Sequence, residues 1–240
     1  ISLLVTNQEG YKNLLYLSSI SHIKQNEIIG INLKDLINHS EGLICYIGGE
    51  LSPLLFLKQE NKENEIISLI NFFKENFKNN FFLEIQRINN INLNDFEDEI
   101  IKFSQKYNLP LICSNNIKFE NKNDYNAHDA LLCISQKTTV NQENRKLSNP
   151  ETYFKSTSEM YEIFADIPEV IENNFKLALK CQFYPTTSSP KFPKFSEDAK
   201  LSENELLVTH ANKGLNDRLD QFSLVKDEYK KRLNYELNII

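Results

Sequence analysis

Apolar residues fall along this chain in two patterns. Some form short unbroken runs, and others recur every three or four positions over longer stretches. The runs read as strands buried on both faces, the spaced residues as helices with one apolar face. Leu3 to Thr6 predicts a first strand. Tyr11 to Ile23 carries Leu14, Leu15, Leu17 and Ile20 on a helical face, and a short helix follows from Leu33 to Asn38. The run from Gly42 to Gly48 predicts a second strand, closed by the Gly48 and Gly49 pair. Helical spacing returns at Leu54, Leu55 and Leu57 and again at Ile66, Ile67, Ile70 and Phe73, with a charged break from Lys58 to Asn64. Phe81 to Gln86 predicts a third strand. Leu93 to Tyr107 is an amphipathic helix with Phe96, Ile100, Phe103 and Tyr107 on one side. Asn94, three residues before Glu97, is its expected cap.

Leu109 to Cys113 then reads as a fourth strand, stopped by the small polar residues Ser114, Asn115 and Asn116. Strands alternating with helices at this spacing predict an α/β fold of parallel βαβ units with right-handed crossovers. Chemistry in such folds collects at the carboxyl ends of the strands. Three ends should therefore share one rim: Gly48 to Glu50, Gln86 with Arg87, and Ser114 to Asn116.

Beyond Ile134 the strand signals cease. Ser156 with Glu159 is a capping box that opens a helix through Ile167, and Pro168 suits the first turn of the next helix. Tyr184 to Phe195 holds three prolines and two serines and reads as a linker. Ser202 with Glu205 signals a further helix through Leu219, and a last one starts near Lys226. The shift near residue 180 divides the chain into residues 1–180, a β/α part, and residues 181–240, a linker and helical part.

Composition narrows the function classes. The 240 residues are 40% hydrophobic and 25% charged, which is enough apolar material for a core. The net charge of −6 argues against the whole chain serving as a nucleic-acid clamp. No apolar run reaches eighteen residues, so no membrane span is expected. Cys45, Cys113, Cys133 and Cys181 make no Cys-x-x-Cys pair, which excludes a zinc ribbon; three sit in apolar runs as reduced, buried thiols, in keeping with a cytoplasmic location. There is no glycine-rich phosphate loop and no nucleophile motif. The chain opens without a methionine, already inside a strand, and ends inside a helical pattern; it reads as an internal fragment of a longer protein.

The run Ser114 to Phe119, followed by Asp124 to Asp129, resembles the last metal motif of the PHP (polymerase and histidinol phosphatase) domain. More narrowly, it is similar to that domain in the α subunits of bacterial DNA polymerase III, the C-family DNA polymerases. The likeness continues through Leu132 to Ile134, Tyr153 to Ser156, Glu159 with Met160, and Phe164 to Glu169, and takes in Cys181 and Phe192 with Pro193. It implies a partial, distorted β/α barrel of PHP type at residues 1–180, leading into the helical start of a polymerase module.

Metal-binding members carry Thr-Asn-Asp-Val-His-Tyr at this motif, with Asp and His as ligands. Here those two places hold Asn116 and Lys118, and Gly49 stands where the family places a Cys. The resemblance therefore implies a degenerate metal site. A DNA-directed DNA polymerase would be the intact protein, using magnesium held by aspartates outside this chain. The fragment would be non-catalytic, a scaffold that docks a proofreading exonuclease and other replisome subunits, with DNA as the intact protein's substrate. The alternative is a metal-dependent PHP phosphoesterase or 3′–5′ exonuclease.

Around the rim, Glu50 reads as solvated. Glu84 either points into the barrel mouth or pairs with a base such as Arg87. His128 reads as a capping or packing residue ahead of a rim role. Asn173 to Phe195 carries Lys176, Lys180, Lys191 and Lys194 among aromatics and no acid; it reads as a solvated linker or as a nucleic-acid or subunit contact.

Overall fold

The structure is a computed structural model that describes residues 1–23, 30–190, 192–193, 195, 201–222 and 226–240. The chain divides into two compact units, residues 1–185 and 186–240.

The first unit is built on one four-stranded sheet in sequence order: β1 (Ser2–Val5), β2 (Leu43–Ile47), β3 (Phe81–Gln86) and β4 (Leu111–Ser114). The helices between them are α1 (Gln8–Ile23), α2 (Leu33–Asn38), α3 (Pro53–Gln59), α4 (Glu63–Phe77) and α5 (Ile91–Tyr107). After β4 come α6 (Tyr125–Gln136), α7 (Thr157–Ile163) and α8 (Glu169–Lys180). The second unit holds α9 (Glu203–Phe222) and α10 (Lys226–Ile239). This mixed α/β architecture agrees with a PHP-type partial barrel followed by a helical segment. Among the described residues no helix is long and apolar enough to cross a membrane.

β2, β3 and β4 run parallel, as their separation by helices predicts. The expectation of a wholly parallel sheet fails at β1, which pairs antiparallel with β2, Val5 opposite Leu43 and Ser2 opposite Tyr46. The reason lies at one point. Thr6 donates its backbone N–H and its hydroxyl to the carbonyl of Gly42, each at 2.9 Å. The chain thus leaves β1 and enters β2 at the same end of the sheet. A Cβ on Gly10 would lie 2.0 Å from the Gly42 carbonyl oxygen, so α1 starts in direct backbone contact with the entry to β2. Gly42 itself has φ +71°, a conformation that favours glycine.

The two faces of the sheet differ because side chains alternate along a strand. One face carries Leu43, Cys45, Ile47, Phe81, Leu83, Ile85, Leu111 and Cys113 and forms the main core with α1 to α5. Phe164 and Val170 complete this core from the later segment. The opposite face carries a small cluster, Ile44, Phe82 and Ile112, joined by Leu4, Tyr46, Leu177 and Cys181. Two residues further along β3 and β4, the same face turns polar, with Glu84, Gln86 and Ser114.

Two predicted helix ends move. Asn90, not Asn94, caps α5, its side chain accepting from the N–H of Asn92 at 3.1 Å. α7 stops at Ile163 instead of Ile167, because Phe164 turns into the core at 1% exposure and the Arg87 guanidinium takes the Ile163 carbonyl. The capping box at Ser156 and Glu159 is present. In the second unit, Ser202 donates to and accepts from Glu205 at the start of α9, and Phe195 lies edge-on to His210.

Candidate functional site: the polar rim

The polar ends of β2, β3 and β4 line a cleft of about 530 Å³, with Tyr46, Gly49, Glu50, Glu84, Ser114 and Asn116 among its walls. Its shape follows from two glycines. A Cβ on Gly48 would lie 2.0 Å from the Glu84 carbonyl oxygen, and Gly48 has φ +142°, so only glycine lets β2 turn away this close to β3. The next residue, Gly49, then presents its N–H to the cleft.

Glu84 is the centre of the rim. It is 6% exposed and points into the cleft mouth. Its carboxylate accepts from the Gly49 N–H at 3.1 Å, the Gln86 amide at 3.2 Å and the Ser114 hydroxyl at 2.5 Å. Burial raises its pKa, and the donors from Ser114, Gln86 and Gly49 oppose that rise. Gln86 also donates to the Ser114 hydroxyl at 2.8 Å and accepts from the Glu50 N–H at 2.9 Å. Glu50 corrects the expectation of a solvated carboxylate: it accepts from the Asn116 amide at 2.7 Å and the Asn90 amide at 3.2 Å. Asn90 thereby couples the cap of α5 to the rim.

The other candidates stand elsewhere. Arg87 does not pair with Glu84. Its guanidinium is bidentate to Asp166 at 2.6 and 2.7 Å and bonds Glu97 at 2.6 to 3.1 Å, which raises its pKa, and it stacks over Phe164. It fastens the α7 region to α5. Lys118 is exposed, and its N–H bonds the Thr152 carbonyl at 2.7 Å. His128 packs against Phe119, with ring centroids 5.3 Å apart, and does not line the cleft. Lys180 donates to the Asn79 carbonyl at 3.0 Å and lies over Phe82, so it serves the fold of the first unit. Lys176 reaches Glu172 at 4.0 Å on the surface. Lys191 and Lys194 lie outside the described residues.

Metal ligation asks for carboxylates, imidazoles or thiolates converging with free oxygen, nitrogen or sulfur donors. Among the described residues no three His, Cys, Asp or Glu do so. The two rim carboxylates are engaged by protein donors. Asn116 turns its amide N–H₂ to Glu50, and a Cβ on Gly49 would fall 2.6 Å from a Glu84 oxygen and 2.5 Å from the Gln86 amide nitrogen. A cysteine at Gly49 would therefore have to displace the ends of the Glu84 and Gln86 side chains. These residues do not fit a metal cluster.

Sequence reading missed the bridging role of Gln86, Ser114 and Asn90. Gln86 was within reach, since it follows Glu84 by two residues and must share its face. It also missed Lys155. This lysine is 7% exposed, donates to the Asn115 side chain at 3.2 Å, and lies over the Tyr153 ring at 4.2 Å. Asn115 in turn donates to the Tyr153 carbonyl at 2.5 Å. Together they tie the rim loop after β4 to the segment before α7.

Residues 1–88 match the family described as PHP domain. The whole chain aligns with proteins named DNA polymerase III subunit alpha. It is 38% identical to that of Rickettsia bellii (strain RML369-C), covering 100% of this chain and 22% of that protein. It is 34% identical to that of Caulobacter vibrioides (strain NA1000 / CB15N), covering 100% and 21%. Against that of Borreliella burgdorferi (strain ATCC 35210 / DSM 4680 / CIP 102532 / B31) it is 34% identical, covering 99% and 21%. The chain spans about a fifth of the length of the curated relatives it matches.

Proposed function

We propose that this chain, which carries a PHP domain and aligns from end to end with DNA polymerase III α subunits, works as a metal-free scaffold within a DNA-directed DNA polymerase. In this reading the intact protein is a replicative nucleotidyltransferase acting on DNA in the cytoplasm. Nucleotide addition uses magnesium held by carboxylates outside these 240 residues. The PHP part hydrolyses nothing; it contributes a rigid surface on which a separate proofreading exonuclease and other replisome subunits assemble.

One observation supports the scaffold role above a phosphoesterase: the rim carboxylates are spent on internal hydrogen bonds. Glu84 holds together β2, β3 and β4 through Gly49, Gln86 and Ser114. Glu50 holds Asn116 and Asn90. A hydrolytic metal pair would have to strip these donors and leave buried polar groups unsatisfied, at about 1–3 kcal/mol for each. A network of this kind stiffens the strand ends through protein groups alone.

The test uses the purified full-length polypeptide in two assays. Primer extension with magnesium should proceed. Excision of a mismatched 3′ terminus, with manganese present and the exonuclease absent, should not. Excision that persists alone and disappears on Glu84→Ala would return the domain to the phosphoesterases.

A further inference from the structure

Among the described residues β4 is the outermost strand of the sheet, yet its outer edge is not bare. In the parallel pairing with β3, the Pro110 carbonyl points inward and accepts from Leu83 at 3.0 Å. Leu111 and Cys113 then direct their backbone polar groups outward, where a fifth strand would lie. Two consecutive side chains of α8 meet them. Asn173 donates to the Leu111 carbonyl at 2.8 Å. Asn174 accepts from the Cys113 N–H at 3.1 Å and donates to the Cys113 carbonyl at 2.8 Å. One carboxamide thus offers the donor and the acceptor that a strand residue offers with its backbone.

The packing of α8 explains how a helix reaches this position. Val170 and Ile171 near its start join the main core on one face of the sheet. Leu177, with Cys181 just past its end, joins the small cluster on the other face. The helix therefore crosses the β4 edge, and Asn173 and Asn174 fall at the crossing. Residue 174 also contacts the Cys113 sulfur, at 3.3 Å.

We propose that Asn173 and Asn174 are a strand surrogate that terminates the sheet and keeps the β4 edge from pairing with a second copy of this chain. An uncovered edge is a template for association, and natural sheets cover or charge it. Here the cover is made of side-chain amides, which satisfy the edge without themselves presenting a new one. A helix bears no outward row of backbone groups, so growth of the sheet ends at this point.

The test uses the full-length polypeptide and three variants. Asn174→Leu keeps the volume and removes both bonds. Asn174→Asp keeps the acceptor for Cys113 and loses the donor. Asn173→Leu exposes only the Leu111 carbonyl. Hydrogen exchange at the Cys113 amide reads the surrogate directly, and exchange at the Leu83 amide, held inside the sheet, reports whether the fold as a whole has loosened. Asn174→Leu should quicken Cys113 exchange by about tenfold with Leu83 unchanged. Asn174→Asp should leave Cys113 protected. Light scattering should show concentration-dependent self-association for Asn174→Leu, greater still in the double Leu variant. Unchanged Cys113 exchange in Asn174→Leu, or a double variant that scatters no more than the parent, would overturn the proposal. Equal loss at Cys113 and Leu83 in all variants would overturn it too, by showing ordinary packing residues.

Discussion

The side-chain amide of Asn116 donates to the carboxylate of Glu50 across 2.7 Å, joining the end of β4 to the turn after β2. Asn116 also has φ +43°, a left-handed conformation that Asn and Asp tolerate better than most residues. An aspartate would keep the backbone and reverse the interaction. Asn116→Asp should therefore lower stability by about 1–2 kcal/mol at neutral pH, from a lost hydrogen bond and two facing carboxylates. Protonating either carboxylate relieves the repulsion, so the loss should shrink as pH falls through the carboxylate range. Thermal scans from pH ~7 down to ~4 would check this, and a pH-independent difference would contradict it.

The Gly10 and Gly42 contact gives a steric prediction. Gly10→Ala and Gly42→Ala each force a methyl group into backbone, and Gly42 has a positive φ besides. Each should cost about 2–3 kcal/mol, measured as a shift of the denaturation midpoint with unchanged slope. Gly30→Ala, where nothing lies within 4 Å of the added Cβ, is the control and should be near neutral.

Arg87 holds Glu97, Asp166 and the Ile163 carbonyl, so Arg87→Met should act on the fold and leave the cleft intact. Glu97 would lose its partner while 15% exposed, and a cost of about 2–3 kcal/mol is expected. Hydrogen exchange should rise through residues 157–167 before it rises in β3. The reverse order would show that Arg87 supports the rim.

Glu159 sets an acid limit. The Tyr153 hydroxyl, and then the Ser156 N–H and hydroxyl, lower its pKa to about 2. A carboxylate depressed on folding contributes stability that is complete above its ordinary range, near 4.5, and is lost as pH falls toward about 2. Glu159→Gln should be less stable than the parent at neutral pH, and the gap should close across that window. A gap that stays constant to pH ~2 would remove Glu159 from the acid response.

The division at Pro185 and Thr186 predicts a clean cut. Residues 1–185 contain the whole main core, and a chain ending at Pro185 should keep one cooperative transition. Loss of that transition, or heavy precipitation, would mean that residues 186–240 supply part of the core.

The strands were legible because Leu43 to Ile47 is apolar throughout and Phe81 to Gln86 is apolar at four of its six positions. Direction was not: the four residues of β1 look the same read either way, and only the Gly42 contact made by Thr6 decides it. Glu84 was placed near the rim from its position in β3, but its partners come from β2 and β4, at separations of 35 and 30 residues. Arg87 follows Gln86 in sequence and yet turns away, because Asp166 and Glu97 reach it from other elements. Asn173 and Asn174 on an amphipathic helix look like a solvated face. No periodicity distinguishes an amide that meets water from one that meets a strand edge.

The surrogate strand has a consequence for synthesis. Each strand pairs with its predecessor, so the sheet can assemble in order as the chain emerges, with 24 to 37 residues between paired strands. Asn173 and Asn174, however, follow their partners on β4 by 62 and 61 residues. At a synthesis rate of about 5–20 residues per second that interval lasts roughly 3–12 seconds, during which β4 is made and its edge has no cover. On a message read by several ribosomes, neighbouring nascent chains would each carry the same open edge at once, so translation speed between residues 113 and 174 sets how long they can find one another.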